Sequence, residues 1–164
     1  MGFFVRFWGV RGSIPTPGPR TRRYGGNTSC IEMRSDTTVL IFDAGTGLRP
    51  LGNALMRQGP VDVTLLLSHL HWDHIMGLPF FTPAYLPGNR VVIHGCHEQL
   101  EESIRLQMRA PSFPVDYAQA GARIEFDLMT PDKPQYIAGI NVTPKKQLHA
   151  GDSYGYRFES LERT

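Results

Sequence analysis

The segment Ser68-His69-Leu70-His71-Trp72-Asp73-His74 constrains this chain more than any other. It sets three imidazoles and a carboxylate directly after the apolar run Val61-Asp62-Val63-Thr64-Leu65-Leu66-Leu67. An apolar run of that length, preceded by Gly59-Pro60, reads as a buried strand. It therefore delivers the histidines to one end of a sheet. Side chains of an extended segment alternate in direction, so His69 and His71 point the same way, and Asp73 and His74 face a second position beyond them. Neutral imidazole nitrogen and carboxylate oxygen are the ligands that borderline divalent ions prefer, zinc above all. The arrangement suits two neighbouring cations, about 3.5–4 Å apart in hydrolytic two-metal sites. Six histidines among 164 residues are an ordinary supply, but three within six positions form a cluster.

The rest of the chain supplies a frame for that strand. Phe3 to Val10 reads as a strand, and the Gly- and Pro-rich stretch Arg11 to Gly26 as a long loop of the kind that tends to be functional. Thr28–Arg34 and Thr37–Asp43 alternate as paired strands, turned at Ser35-Asp36. Gly45-Thr46-Gly47 opens a helix to about Met56, with Leu48, Leu51, Leu55 and Met56 near helical spacing. A short helix is predicted to begin at His74, a strand to cover Arg90–Gly95, and an amphipathic helix to cover His97–Arg109 on Leu100, Ile104, Leu106 and Met108. Further strands are expected over Ala122–Leu128, over Tyr136–Gln147 with an interruption at Pro144, and over Tyr154–Ser160. This order predicts an α/β fold, a mixed sheet with helices packed on its outer face, in one domain spanning 1–164.

Charge and composition exclude little else. A net charge of +2 is too small to imply a nucleic-acid surface by itself. Arg20, Arg22 and Arg23 lie in the long loop, where they are either solvated or attract a phosphate-bearing substrate. Cys30 and Cys96 belong to no Cys-x-x-Cys pattern and are expected as reduced thiols. Nothing approaches the roughly 18 apolar residues that would span a bilayer, and the N-terminus lacks a signal-peptide pattern. The expectation is a cytoplasmic protein with no membrane partner.

His-x-His-x-Asp-His after an apolar strand resembles the signature of the metallo-β-lactamase fold superfamily. Asp43 in Leu40-Ile41-Phe42-Asp43-Ala44-Gly45 matches an aspartate at the end of an earlier strand of that family. His149, followed by Ser153-Tyr154-Gly155-Tyr156-Arg157, matches its third metal-binding motif. Phe7-Trp8-Gly9-Val10-Arg11-Gly12-Ser13-Ile14-Pro15, Tyr24-Gly25-Gly26-Asn27-Thr28-Ser29-Cys30 and Ser112-Phe113-Pro114-Val115 resemble a bacterial phosphodiesterase-like branch. That branch is related to the cyclic phosphodiesterases and the transfer-RNA 3′-processing endonucleases.

The resemblance implies an αββα sandwich of which this chain carries the first half to two-thirds. In the family a longer stretch with a metal-bridging aspartate and a final histidine follows the strand Gly155-Tyr156-Arg157-Phe158. The sequence here ends at Thr164 without them and is expected to be C-terminally incomplete. By the same resemblance, His69, His71 and His149 would hold a first divalent ion. Asp73 and His74 would hold a second, less complete one. The ion is expected to be Zn2+, with Mn2+, Fe2+ or Ni2+ as alternatives. Asp73 would also act catalytically by orienting the attacking hydroxide, and Asp43 would orient a ligand histidine from behind. Asn27 and Thr28 are the candidates for contact with an anionic substrate. Asp152 reads either as a stand-in ligand or as a surface-turn carboxylate, and His94 and His97 as ordinary strand-end and helix-start residues. Trp72 either walls the pocket or packs.

The implied activity is a metal-dependent phosphodiesterase acting on a cyclic or nucleotidyl phosphodiester. The alternatives are a non-catalytic metal-binding remnant and a thioester or lactam hydrolase of the same fold. The expected partner is a small phosphodiester or nucleotide-type substrate ahead of nucleic acid, and a homo-oligomer is one way to complete the sheet.

Overall fold

Strands β1 (Phe4–Gly9), β2 (Cys30–Ser35), β3 (Thr38–Phe42), β4 (Asp62–Leu66), β5 (Arg90–Gly95) and β6 (Arg123–Leu128) form one sheet in chain order in the computed structural model, which describes residues 4–35 and 38–159. The first three strands pair antiparallel, and β3 through β6 pair parallel. Parallel neighbours need crossovers. Helix α1 (Leu48–Leu55) joins β3 to β4, the single turn α2 (Trp72–Ile75) lies between β4 and β5, and α3 (Leu100–Gln107) joins β5 to β6.

Alternation along the central strands divides the core in two. Val63, Leu65 and Leu67 face the helical side with Val91 and Ile93, and pack with Leu48, Leu51, Leu55, Leu100, Ile104 and Met108. Leu66 faces the other way, into a smaller cluster with Met129, Ile137 and Val142. That second face is covered by an antiparallel sheet of β7 (Gln135–Ile137), β8 (Ile140–Gln147) and β9 (Ser153–Glu159). The layers run helices, mixed sheet, second sheet, which is the expected architecture with helices on an outer face.

Several boundaries differ from the sequence reading. The helix expected from His74 begins at Trp72, so Asp73 and His74 sit on its first turn. The helix expected from His97 begins at Leu100, after a turn. The stretch read as one strand broken at Pro144 is a hairpin that turns at Ala138-Gly139, both at positive φ, as a tight two-residue turn requires. Pro144 lies inside β8 opposite Tyr156. Its carbonyl accepts from Asp132 N, so its missing N–H faces the side where β7 has already ended. The turn read at Ser35-Asp36 and the strand end read at Ser160 fall partly outside the described residues. No helix of the described residues is long and apolar enough to cross a membrane.

Two hydrogen bonds seat the second sheet on the end of β4. Tyr154 N donates to Ser68 O at 2.9 Å, and the Tyr156 hydroxyl donates to Leu67 O at 2.7 Å. The loop before β9 is thereby brought against the loop after β4.

Candidate metal centre

The β4 strand ends in a buried run, and the chain beyond it turns into α2. Ala44 fixes that turn, its N–H donating to His74 O and its carbonyl accepting from Gly77 N. The approach is too close for a side chain at Gly45, where a Cβ would lie 2.4 Å from Asp73 O and from Thr28 Oγ1. Asp43 and the 68–74 segment are therefore locked together by backbone.

His69, His71 and His149 come together, each offering a ring nitrogen, with the three nitrogens within 4.8 Å of one another. The ring centroids of His69 lie 4.5 Å from His71 and 4.7 Å from His149. Asp73 and His74 adjoin them, with Asp73 Oδ2 3.4 Å from His74 Nε2 and the His69 and His74 rings 4.0 Å apart.

Behind the cluster, Asp43 is 1% exposed and accepts four hydrogen bonds. Oδ1 takes Ser68 N at 2.9 Å and Ser68 Oγ at 2.8 Å, and Oδ2 takes Ser29 Oγ at 2.9 Å and His74 Nδ1 at 2.7 Å. The Ser68 hydroxyl proton goes to this carboxylate, so the contact between Ser68 Oγ and His69 Nδ1 at 3.0 Å is made by an Nδ1–H. His149 Nδ1 likewise donates to Ala150 O at 2.6 Å. In their neutral form His69, His74 and His149 are thus each held with Nδ1 protonated and the Nε2 lone pair free, the usual state of a ligating imidazole. His71 Nε2 lies where a Cβ on Gly151 would come within 3.2 Å, so a side chain there would press on the ring, and the φ of 78° favours glycine as well.

Charge state follows from the same surroundings. Burial, then the neighbouring rings of His74 and His71, pulls His69 down to about 4, leaving it neutral as a metal ligand must be. For His74 burial opposes the charged form, but the Asp43 hydrogen bond and charge, with Asp73 behind them, hold its pKa above the ordinary histidine value. The donor set fits a divalent ion: nitrogen ligands, one of them kept neutral by burial, backed by a carboxylate.

The remaining candidates fall elsewhere. Thr28 is fully buried, and its N–H and hydroxyl are engaged with Thr46. Asn27 uses its side chain on Trp8 O and Thr46 Oγ1. These bonds engage the Thr28 N–H and hydroxyl and part of the Asn27 amide, and tie both residues into the loop. Asp152 pairs with Lys146 Nζ at 2.7 Å and is a turn carboxylate. Trp72 is 76% exposed, so it is not packed in the core. Four contributors escaped the sequence reading. Ser13, at φ 75°, donates its N–H to Asp73 Oδ2 at 2.6 Å. Ser68 is the hub just described, and Tyr154 with Tyr156 seats the loop of His149. Gly12 before Ser13, and Ser68 at the head of the histidine motif, were the available signals.

The family model described as the metallo-beta-lactamase superfamily matches residues 23–102. Ribonuclease Z of Natronomonas pharaonis is 34% identical over 123 residues, covering 70% of this chain and 37% of that protein. Ribonuclease BN of Escherichia coli O1:K1 is 26% identical, covering 96% of this chain and 50% of its own length. The chain thus spans half or less of the curated relatives it matches. Among solved structures, the metallo-beta-lactamase fold protein YhfI from Bacillus subtilis superposes with a TM-score of 0.69 at 20% identity, covering 96% of this chain and 58% of that one.

Proposed function

Because the chain belongs to the metallo-beta-lactamase superfamily, we propose that its histidine cluster holds a divalent metal ion, zinc by preference, and serves the hydrolysis of phosphodiesters. The observation that carries this reading is the convergence of His69, His71 and His149, with Asp73 and His74 alongside. His69, His71 and His149 would hold the first ion, and Asp73 with His74 would contribute to a second. When bound, such an ion acidifies a coordinated water towards a pKa of ~7 and offsets negative charge on phosphoryl oxygens.

The chain's own residues set the conditions for that chemistry. Asp43 and Ser68 keep His69 and His74 in the tautomer that turns Nε2 inward. The Ser13 N–H holds Oδ2 of Asp73, leaving the carboxylate aimed to orient an attacking water. The names of the curated relatives, ribonucleases Z and BN, support a phosphodiester, whether nucleotidyl or within RNA, over a thioester or lactam. The free thiols Cys30 and Cys96 accord with a cytoplasmic location.

The test is hydrolysis of bis-p-nitrophenyl phosphate by zinc-loaded protein, set beside a thioester and a β-lactam. Phosphodiester turnover that is abolished by His71→Ala is the expected result. Turnover of the thioester or the lactam with none of the phosphodiester would overturn it.

A further inference from the structure

His149 enters the cluster from the second sheet, on a turn that burial does not hold. His149, Ala150, Gly151 and Asp152 are all exposed. Gly151 and Asp152 occupy the left-handed region consecutively, at φ 78° and 53°, and both are residue types that reach it at little cost, so backbone preference alone does not single out this turn. The ion pair of Asp152 with Lys146 is solvent-exposed and within the same hairpin, so it contributes little. Besides the rings of His69 and His71, what reaches the turn from the other half of the described residues by a hydrogen bond is His97. Its Nε2 lies 3.0 Å from Asp152 O. A carbonyl only accepts, so this nitrogen carries the proton.

His97 is itself well fixed. Its carbonyl accepts from Leu100 N at 3.0 Å, at the start of α3. Its ring meets Tyr154 edge-to-face at 5.2 Å, and Tyr154 N is bonded to Ser68 O, next to His69. The imidazole therefore ties the turn to the part of the first sheet that presents the other two histidines.

We propose that His97 is a positioning residue for the centre, holding the Ala150–Asp152 turn so that His149 is aimed at His69 and His71. This role rests on the metal-binding reading above and adds a residue outside the ligand set. It acts through a backbone carbonyl three residues from the ligand, by hydrogen bonding.

The experiment measures the zinc dissociation constant of the parent chain, His97→Ala and His97→Gln by competition with a chromophoric chelator, with thermal unfolding of the metal-free proteins alongside. Glutamine places an N–H donor where Nε2 stands and retains the bond. H97A is expected to bind zinc about 10-fold or more weakly, H97Q to recover most of the loss, and metal-free unfolding to change alike in both. Parent-like affinity in H97A would overturn the role. So would equal loss in both variants in step with their unfolding temperatures, which assigns His97 to packing. Failure of the parent itself to bind zinc would remove the metal-binding reading and this inference with it, an outcome distinct from the other two.

Discussion

Asp43 Oδ2 accepts a hydrogen bond from His74 Nδ1 at 2.7 Å while Oδ1 accepts from both donors of Ser68. One buried carboxylate thereby fixes the tautomer of one candidate ligand directly and of a second, His69, through a hydroxyl. Replacing it with asparagine keeps the shape and tolerates the φ of 62° at this position, because Asn visits the left-handed region readily. The amide nitrogen, however, must face two donors in place of an acceptor. Asp43→Asn is expected to destabilise the protein by about 1–3 kcal/mol, from one donor, Ser68 N–H or His74 Nδ1–H, left without an acceptor while the serine hydroxyl beside it turns to accept, and to weaken zinc binding roughly 10–100-fold. Thermal unfolding and chelator competition measure the two losses. Parent-like zinc affinity would show that Asp43 serves only the fold.

Gly151 and Gly139 separate strain from collision. Both have left-handed φ, at 78° and 87°, but a Cβ on Gly139 meets nothing within 4 Å, whereas one on Gly151 comes within 3.2 Å of His71 Nε2. Alanine at either position costs about 1–2 kcal/mol in backbone conformation. Gly151→Ala alone is expected to reduce zinc affinity, by displacing the His71 ring. Equal zinc binding in the two variants would remove Gly151 from the account of the site.

Acid should destabilise the metal-free protein earlier than its carboxylates require. Burial lowers the pKa of His69 to about 4 and also lowers that of His94, whose partner Asp127 only partly offsets the burial. Between pH 6.5, the ordinary histidine value, and about 4, the unfolded chain binds more protons than the folded one, so stability falls as pH falls. His74 has the opposite sign. Its pKa is raised, so its contribution is complete below the ordinary value and fades as pH rises through the raised one. The melting temperature of metal-free protein is therefore expected to decline from pH 6.5 towards 4, with a shallower slope in His94→Asn. A flat profile over that interval would contradict the burial of both rings.

Legibility in the sequence tracked how local each determinant was. Arg90–Gly95 has the same boundaries in sequence and structure because Val91, Val92 and Ile93 are β-branched and buried on both faces. The His69–His74 cluster was equally plain, since strand periodicity and ligand type coincide within seven residues. The hairpin at Ala138-Gly139 was obscured by Pro144, which breaks a central strand but not one whose N–H side lies beyond the end of its neighbour. Leu106 fits the helical pattern yet is 54% exposed, while Leu100, Ile104 and Met108 form the buried stripe. Ser13 and His97 were hidden because each acts on the centre through one hydrogen bond across the fold, whereas Ser68 stood in the motif without a ligand's chemistry to mark its bonds to Asp43. For Ser13 and His97 the partner is 60 and 55 residues away, and nothing local to either residue marks the contact.

The two halves of the centre should load unequally. His69, His71 and His149 are the one group of three or more potential ligands that converges among the described residues. Asp73 and His74 make a pair beside it, with Asp73 Oδ2 already accepting the Ser13 N–H and His74 Nδ1 committed to Asp43. Three imidazoles with an open fourth position form a complete catalytic zinc site, whereas two protein ligands leave most of the coordination sphere to water. Titration of metal-free protein with zinc is expected to show one tight equivalent per chain, followed by one at least 10-fold weaker or absent. Asp73→Asn should leave the first equivalent within a few-fold of the parent, and His149→Ala should abolish it. Two equivalents of matched affinity, or loss of the first on changing Asp73, would mean that the five side chains act as one dinuclear site from the first ion onward.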